Sequence, residues 1–571
     1  MRAARLLAAI ATSTALAACV PHGSVTIGSS TAVDSYDVVI ENGRVIDGTG
    51  AAWYYGDVAI RGDRIAAVGP RGAFTRARAA SRIDATGHVV APGFIDIQAQ
   101  SYDNFMTGDG KALSMVTQGI TTAILGEGGT PAPVNDKLLA LESDTARRTM
   151  MRRFTGPHGF GDWLQFMANR GVSQNIGSFV GSGTVRMYGK GGAMGAATGA
   201  ELDTMQAMVR RAMQDGAFGI GSALIYPPNS YASTEELIAV NKAAAPYGGV
   251  YITHMRSEGD KFLEALDEAI RIGKEAGVAV EIYHLKASGL RNWPKMNLAI
   301  AKIDSARAAG QDVQADMYLY PAGGNSFASC VPPKYAAEGK LLDNLRNPSL
   351  RAAILQDMHA RDAGYENLCE VATPANIMVV GFKKAEYKQF EGKRLSEIAA
   401  ALGKDWAEVI IDLNVAESAG LGEILFLMSE ANITNQIRQP WMKFGTDAGS
   451  EDPATAVGLT HPRTYGNFPR LLGKYVRQER VTTLEDAVRK ASSAVAARLS
   501  LADRGVIKEG MKADVVVFDP DAIIDNATFE KPHQLSTGIR DVFVNGAAVV
   551  RDGRHTGAKP GQVVRGPGSR R

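Results

Sequence analysis

Residues 249–286 constrain this chain more than any other stretch: GVYITHMRSEGD, a charged amphipathic segment, then GVAVEIYHLKASG. Two short β-branched apolar runs each end in a histidine, His254 and His284. Between them Phe262, Leu266 and Ile270 recur at helical spacing, with acids and lysines elsewhere. The pattern reads strand–helix–strand, with an imidazole at the tip of each strand. A closed (β/α)8 barrel brings such tips to one face, where neighbouring imidazoles can share a metal ion. A capped strand end accounts for one histidine. It does not account for two at equivalent positions of consecutive units.

The rest of the chain supplies the remaining units. Candidate inner strands lie near 92–98, 120–126, 175–180, 217–222, 249–254, 278–284, 312–318 and 441–447, with helical patterns at 201–215, 234–246, 260–276 and 295–309. Eight such units predict an α/β fold, a (β/α)8 TIM-like barrel over residues 91–502. Residues 319–440 are too long for a crossover and carry helical patterns near 340–360 and 393–418. They read as an insertion over the barrel mouth. Residues 36–90 alternate in short runs broken by Asn-Gly and Gly-Pro turns, and residues 503–555 answer them with strand–turn–strand text. The two ends predict one composite β-sandwich domain. Residues 556–571, rich in Gly, Pro and Arg, predict a disordered or draped tail.

Met1–Cys19 is not fold. Two arginines precede a short apolar run ending in small residues, as in a secretory signal. Leu16-Ala17-Ala18-Cys19 resembles a bacterial lipobox, which implies a lipid on Cys19 and a periplasmic protein held to a membrane by that anchor alone. Residues 20–35 then form a tether. No later stretch is apolar for long enough to span a bilayer. In an oxidising compartment Cys330 and Cys369 are either bonded to each other or two buried thiols. Lys+Arg 62 against Asp+Glu 60 gives no basic face for nucleic acid. A homo-oligomer stays open.

The strand ends carry the chemistry. Strand one presents Gln98 and Gln100, strand two Glu127, strand five His254, strand six His284 and strand eight Asp447. One carboxylate and two histidines on a rigid rim can hold a divalent metal and leave a position open. Such a metal activates water and polarises a carbonyl, and Asp447 can take the proton and pass it to a leaving nitrogen. The competing reading of Asp447 is a cap for a following helix.

Taken together, GHVVAPGFIDIQAQS, GEGGTPAP, ITHMRSE, YHLKASG, DMYLYPAG and FGTDAGSEDP…HPRTYG resemble the amidohydrolase superfamily, and within it the D-aminoacylase (N-acyl-D-amino-acid deacylase) group, over residues 36–550. The resemblance implies a zinc-dependent hydrolase of amide-type C–N bonds. It implies metal ligation by Glu127, His254 and His284, catalysis by Asp447, and a substrate carboxylate held by Lys286, Arg463, Tyr226 and Tyr318 or Tyr320. Where the family has His-x-His at the end of strand one, this chain has Gln98-Ala99-Gln100. Amide oxygens are poor zinc ligands beside imidazole. The expectation is one zinc per chain, with the two glutamines holding the water or orienting Asp447. The expected substrate is a small N-acyl amino acid with a free carboxylate. N-acyl-L-amino acids, dipeptides and cyclic amides are alternatives, and so is a degenerate, ligand-binding lipoprotein.

Overall fold

The computed structural model describes residues 34–142, 144–361 and 364–570. The lipobox Cys19 and the tether up to residue 33 lie outside the described residues.

The eight predicted inner strands form and pair in parallel. They are Phe94–Asp96, Ile120–Leu125, Asn175–Ser178 continued by Val180–Gly181, Gly219–Ala223, Val250–His254, Ala279–Ile282, Val313–Met317 and Met442–Phe444. Below they are numbered barrel strands one to eight. Strand eight returns to strand one through the Ala99–Ala448 bridge and the Asp447 N–H donating to the Gln98 carbonyl at 2.8 Å. The ring is therefore closed, and every strand tip opens on one rim.

The helix between strands five and six, Phe262–Ala276, buries Phe262, Leu266, Ala269 and Ile272 against the barrel. Gly277, at φ +72°, ends it in the left-handed conformation that glycine adopts without strain. Helices Gly199–Asp215, Thr234–Lys242 and Lys295–Ala308 occupy the other predicted positions. Thr198 and Glu201 close the first with a reciprocal capping box.

Strands from both chain ends make a single nine-stranded sheet. Val89–Pro92 pairs antiparallel with Val515–Phe518, so the early half-sheet and the late one share a ladder. Ile40, Val58, Val90, Val515, Val517 and Phe543 form its core. Residues 556–570 are laid down as a strap. Gly561 and Val564 donate to the carbonyls of Val172 and Ile176 beside barrel strand three, and of the two expectations for the tail this is the draped one.

The insertion folds around a three-stranded antiparallel sheet, Gly323–Ser326, Gly422–Leu425 and Ile377–Val380. Cys330 and Cys369 are bonded within it, with Cα atoms 5.5 Å apart. Its helices include Pro348–His359, Leu395–Leu402 and Trp406–Ala416. No helix among the described residues is long and apolar enough to cross a membrane.

Candidate active site

The rim and the insertion sheet enclose a cavity of about 830 Å³, lined by Glu127, His254, His284 and Asp447 on the barrel side and by Asn325, Val380 and Ile424 on the other. That volume suits a small molecule.

Four strand tips build the centre. Glu127 Oε1 lies 3.2 Å from His284 Nε2 and 3.5 Å from His254 Nδ1. One ligand atom from each of the three residues falls within 4.8 Å of the others, which suits a single metal ion. His254 Nε2 is buried with no hydrogen-bond partner. Burial and Lys286 oppose a charge on His284, yet Glu258 and Glu127 lift it to about 10. One buried carboxylate and two imidazoles converging in this way are a donor set that fits a divalent metal.

Glu258 was not singled out by sequence reasoning. Its carboxylate stands 3.1 Å from His284 Nδ1 and 3.7 Å from His254 Nε2, behind both rings. A carboxylate in that place fixes the ring orientation and raises the basicity of the ligating nitrogens. The signal was present in His254-x-x-x-Glu258, an acid four residues after a strand-tip histidine.

Lys286 lines the cavity beside these groups. Its ammonium reaches Glu258 Oε1 at 2.7 Å, His284 Nδ1 at 2.7 Å and the His284 carbonyl at 3.2 Å. The 2.7 Å pair makes Lys286 the counter-ion of Glu258.

Asp447 caps no helix, since the next one begins at Arg463. Its backbone sits at φ +48°, and that of His284 at φ +32°. Left-handed backbone at a non-glycine residue persists only where the surroundings enforce it, and it clusters at functional sites. Here Asp96 supplies the enforcement for strand eight. It accepts from the Gln98 and Thr446 N–H groups at 3.0 and 2.9 Å and so ties strand one to the Asp447 loop. On strand six Asp316 accepts the His284 N–H at 2.9 Å. Burial pushes the Asp447 carboxyl above its ordinary range, opposed by Arg463 and reinforced by Glu127.

Opposite the metal donors lies a polar wall. Arg463 Nη1 stands 2.8 Å from Asp447 Oδ2, and its guanidinium lies 4.4 Å over the Tyr318 ring. Arg463 Nε and the Tyr318 hydroxyl are buried without hydrogen-bond partners. His461, also missed in the sequence, accepts the Arg463 N–H through Nδ1 at 3.1 Å and makes a 2.9 Å hydrogen bond to the Ala322 carbonyl through Nε2. Burial and Arg463 hold it well below the usual histidine range, so it is a neutral prop. Tyr226 packs edge-on to His254 with centroids 5.5 Å apart and donates to Asn325 at 2.5 Å.

Tyr320 turns the other way. It donates to Asp525 at 3.0 Å, outside the cavity, so of the two alternating tyrosines only Tyr318 reaches the site. The Gln98 and Gln100 amides both donate to Glu127 Oε2, at 2.7 Å each.

Comparisons with known proteins agree with this geometry. A profile of the amidohydrolase family matches residues 442–550. The chain is 33% identical to a D-aminoacylase of Alcaligenes xylosoxydans xylosoxydans, over 93% of this chain and 97% of that protein. A solved D-aminoacylase, described by one-metal activation and second-metal attenuation of its binuclear centre, superposes with a TM-score of 0.75 at 33% identity, covering 93% of this chain and all of that one. The N-acyl-D-glutamate deacylase of Bordetella bronchiseptica, solved with zinc and a phosphonate mimic of the tetrahedral intermediate, gives a TM-score of 0.73 at 31% identity over 93% of this chain and all of that one. With this coverage, and with Glu127, His254, His284 and Asp447 converging on one cavity, the chain belongs to the D-aminoacylase family of metal-dependent amidohydrolases.

Proposed function

We propose that this protein hydrolyses the amide bond of N-acyl-D-amino acids whose side chains are apolar. One observation carries the reading. The three metal donors and Asp447 face Arg463 Nε and the Tyr318 hydroxyl, both buried with no hydrogen-bond partner among the described residues. Such atoms cost about 1–3 kcal/mol each when left unpaired, and a substrate carboxylate would satisfy both Arg463 Nε and the Tyr318 hydroxyl. Lys286 adds positive charge behind Glu258. A divalent metal bound by Glu127, His254 and His284 would supply the Lewis acid that polarises the scissile carbonyl. Asp447, with its raised proton affinity and pinned backbone, holds the proton taken from water and returns it to the leaving nitrogen.

The side-chain preference comes from the rest of the wall. Val380, Ile424, Leu425, Leu427 and Leu459 line it, and the only lysine or arginine among the described lining residues are Lys286 and Arg463. Both already face a carboxylate of the protein. A second carboxylate on the substrate would be buried without a cation. The N-terminal signal pattern and the Cys330–Cys369 bond support an exported, lipid-anchored enzyme.

A panel of N-acetyl amino acids tests this. N-acetyl-D-leucine is expected to exceed N-acetyl-D-glutamate in kcat/KM by about a hundredfold, the equivalent of an unpaired buried charge, and to exceed N-acetyl-L-leucine as well. Preference for the D-glutamate or L-leucine compound would sink the respective part of the proposal.

A further inference from the structure

Glu127 faces two kinds of partner. Oε1 points at the two imidazoles, and Oε2 accepts from Gln98 Nε2 and Gln100 Nε2 at 2.7 Å each. The acceptor sets the orientation of both amides, because the reverse orientation would put oxygen against oxygen. A carboxylate oxygen offers two in-plane lone pairs, and two N–H donors fill them. A second ion on Oε2 would have to displace an amide, and an amide offers zinc only a weak neutral oxygen in return. Gln98 is 1% exposed, and its own Oε1 has no partner among the described residues. Leaving a buried carbonyl oxygen unpaired is unfavourable.

We propose that Gln98 and Gln100 stand in for a second metal ion, capping Glu127 Oε2 so that the chain has a one-ion centre on Glu127 Oε1, His254 and His284. The inference rests on the metal-hydrolase reading above and adds the device that sets the number of ions. Neutral donors fix the carboxylate without cancelling its charge. Glu127 would therefore present its full negative charge to one ion. The contrast is with the binuclear centre of the solved D-aminoacylase.

The test is a zinc titration of the purified chain after removal of bound metal, followed by calorimetry and by elemental analysis of the gel-filtered protein. The unmodified protein is expected to saturate at one zinc per chain even in excess zinc. The variant Q98H/Q100H, shown by its melting curve to be folded, is expected to take up a second. Two ions in the unmodified protein overturn the proposal, and so does a folded double variant that stays at one. If the variant does not fold, the unmodified protein's titration still decides the ion number. One zinc in a protein that hydrolyses no N-acyl amino acid would support this inference while refuting the substrate assignment. No zinc at all would refute both.

Discussion

At the N-terminal ends of the barrel strands, Lys443 donates to Glu281, Gln314 and the Trp441 carbonyl at 2.9, 2.8 and 3.3 Å. Arg498 donates to Glu281, Asp312 and the Val280 carbonyl at 2.7, 2.8 and 2.8 Å. At the C-terminal ends of the same strands, Glu127, Glu258, Lys286, Asp447 and Arg463 form a second buried cluster of charge. Composition does not tell the two apart, since each pairs carboxylates with cations. Satisfaction does. Every donor named at the lower end has a partner, whereas the upper end leaves His254 Nε2, Gln98 Oε1, Tyr318 Oη and Arg463 Nε without one among the described residues. A closed network serves the fold, and a network with free valences is arranged for something not yet bound.

Substitutions can break this comparison from either end. The largest effect is expected for Asp447→Asn, with kcat of the folded variant falling about 10²–10⁴-fold; an unaltered rate would remove Asp447 from the chemistry. At the lower end, Lys443→Met strands Glu281 beside a single cation, and chemical denaturation is expected to show a loss of about 3–5 kcal/mol, while the folded fraction keeps its activity. A normal rate loss with normal stability would invert the assignment of the two ends. The smallest effect sharpens the contrast inside the upper cluster. Glu258→Gln keeps the shape but weakens the hold on both imidazoles, and chelator competition is expected to show zinc affinity reduced about 10–100-fold. Unchanged affinity would mean that Glu258 only neutralises Lys286.

Much of the barrel was legible because its signals are local. A β-branched run, a glycine and an amphipathic helix can each be recognised within a short window, and all eight inner strands lie where those signals place them. His254, His284, Glu127 and Asp447 could be read in the same way, as polar residues at the ends of apolar runs. What was not legible depended on which neighbour a tip residue meets. Tyr318 and Tyr320 sit two apart and should share a face in an ideal strand, but the strand ends at Met317 and the chain turns between them. Lys286 reads as a free cation until Glu258, brought in from the preceding strand's loop, is seen to occupy it. The glutamines read as lost ligands, and only the position of Glu127 shows them as donors. The tail's composition left disorder and draping open, and only the backbone groups beside barrel strand three decide for draping.

The composite sheet also has a consequence in time. Val90 pairs with Val517, so the first-made half of the ladder waits for nearly the whole chain before it meets its partner. Long-range pairing of this kind slows folding, and an unpaired strand edge invites other chains to bind it. During synthesis Val89–Pro92 can pair with Arg44 and Val45 on one side, but its other edge stays open until Val515–Phe518 emerges, after the barrel and its insertion. A chain stopped short of that point would carry its complete catalytic rim on a molecule with an open seam.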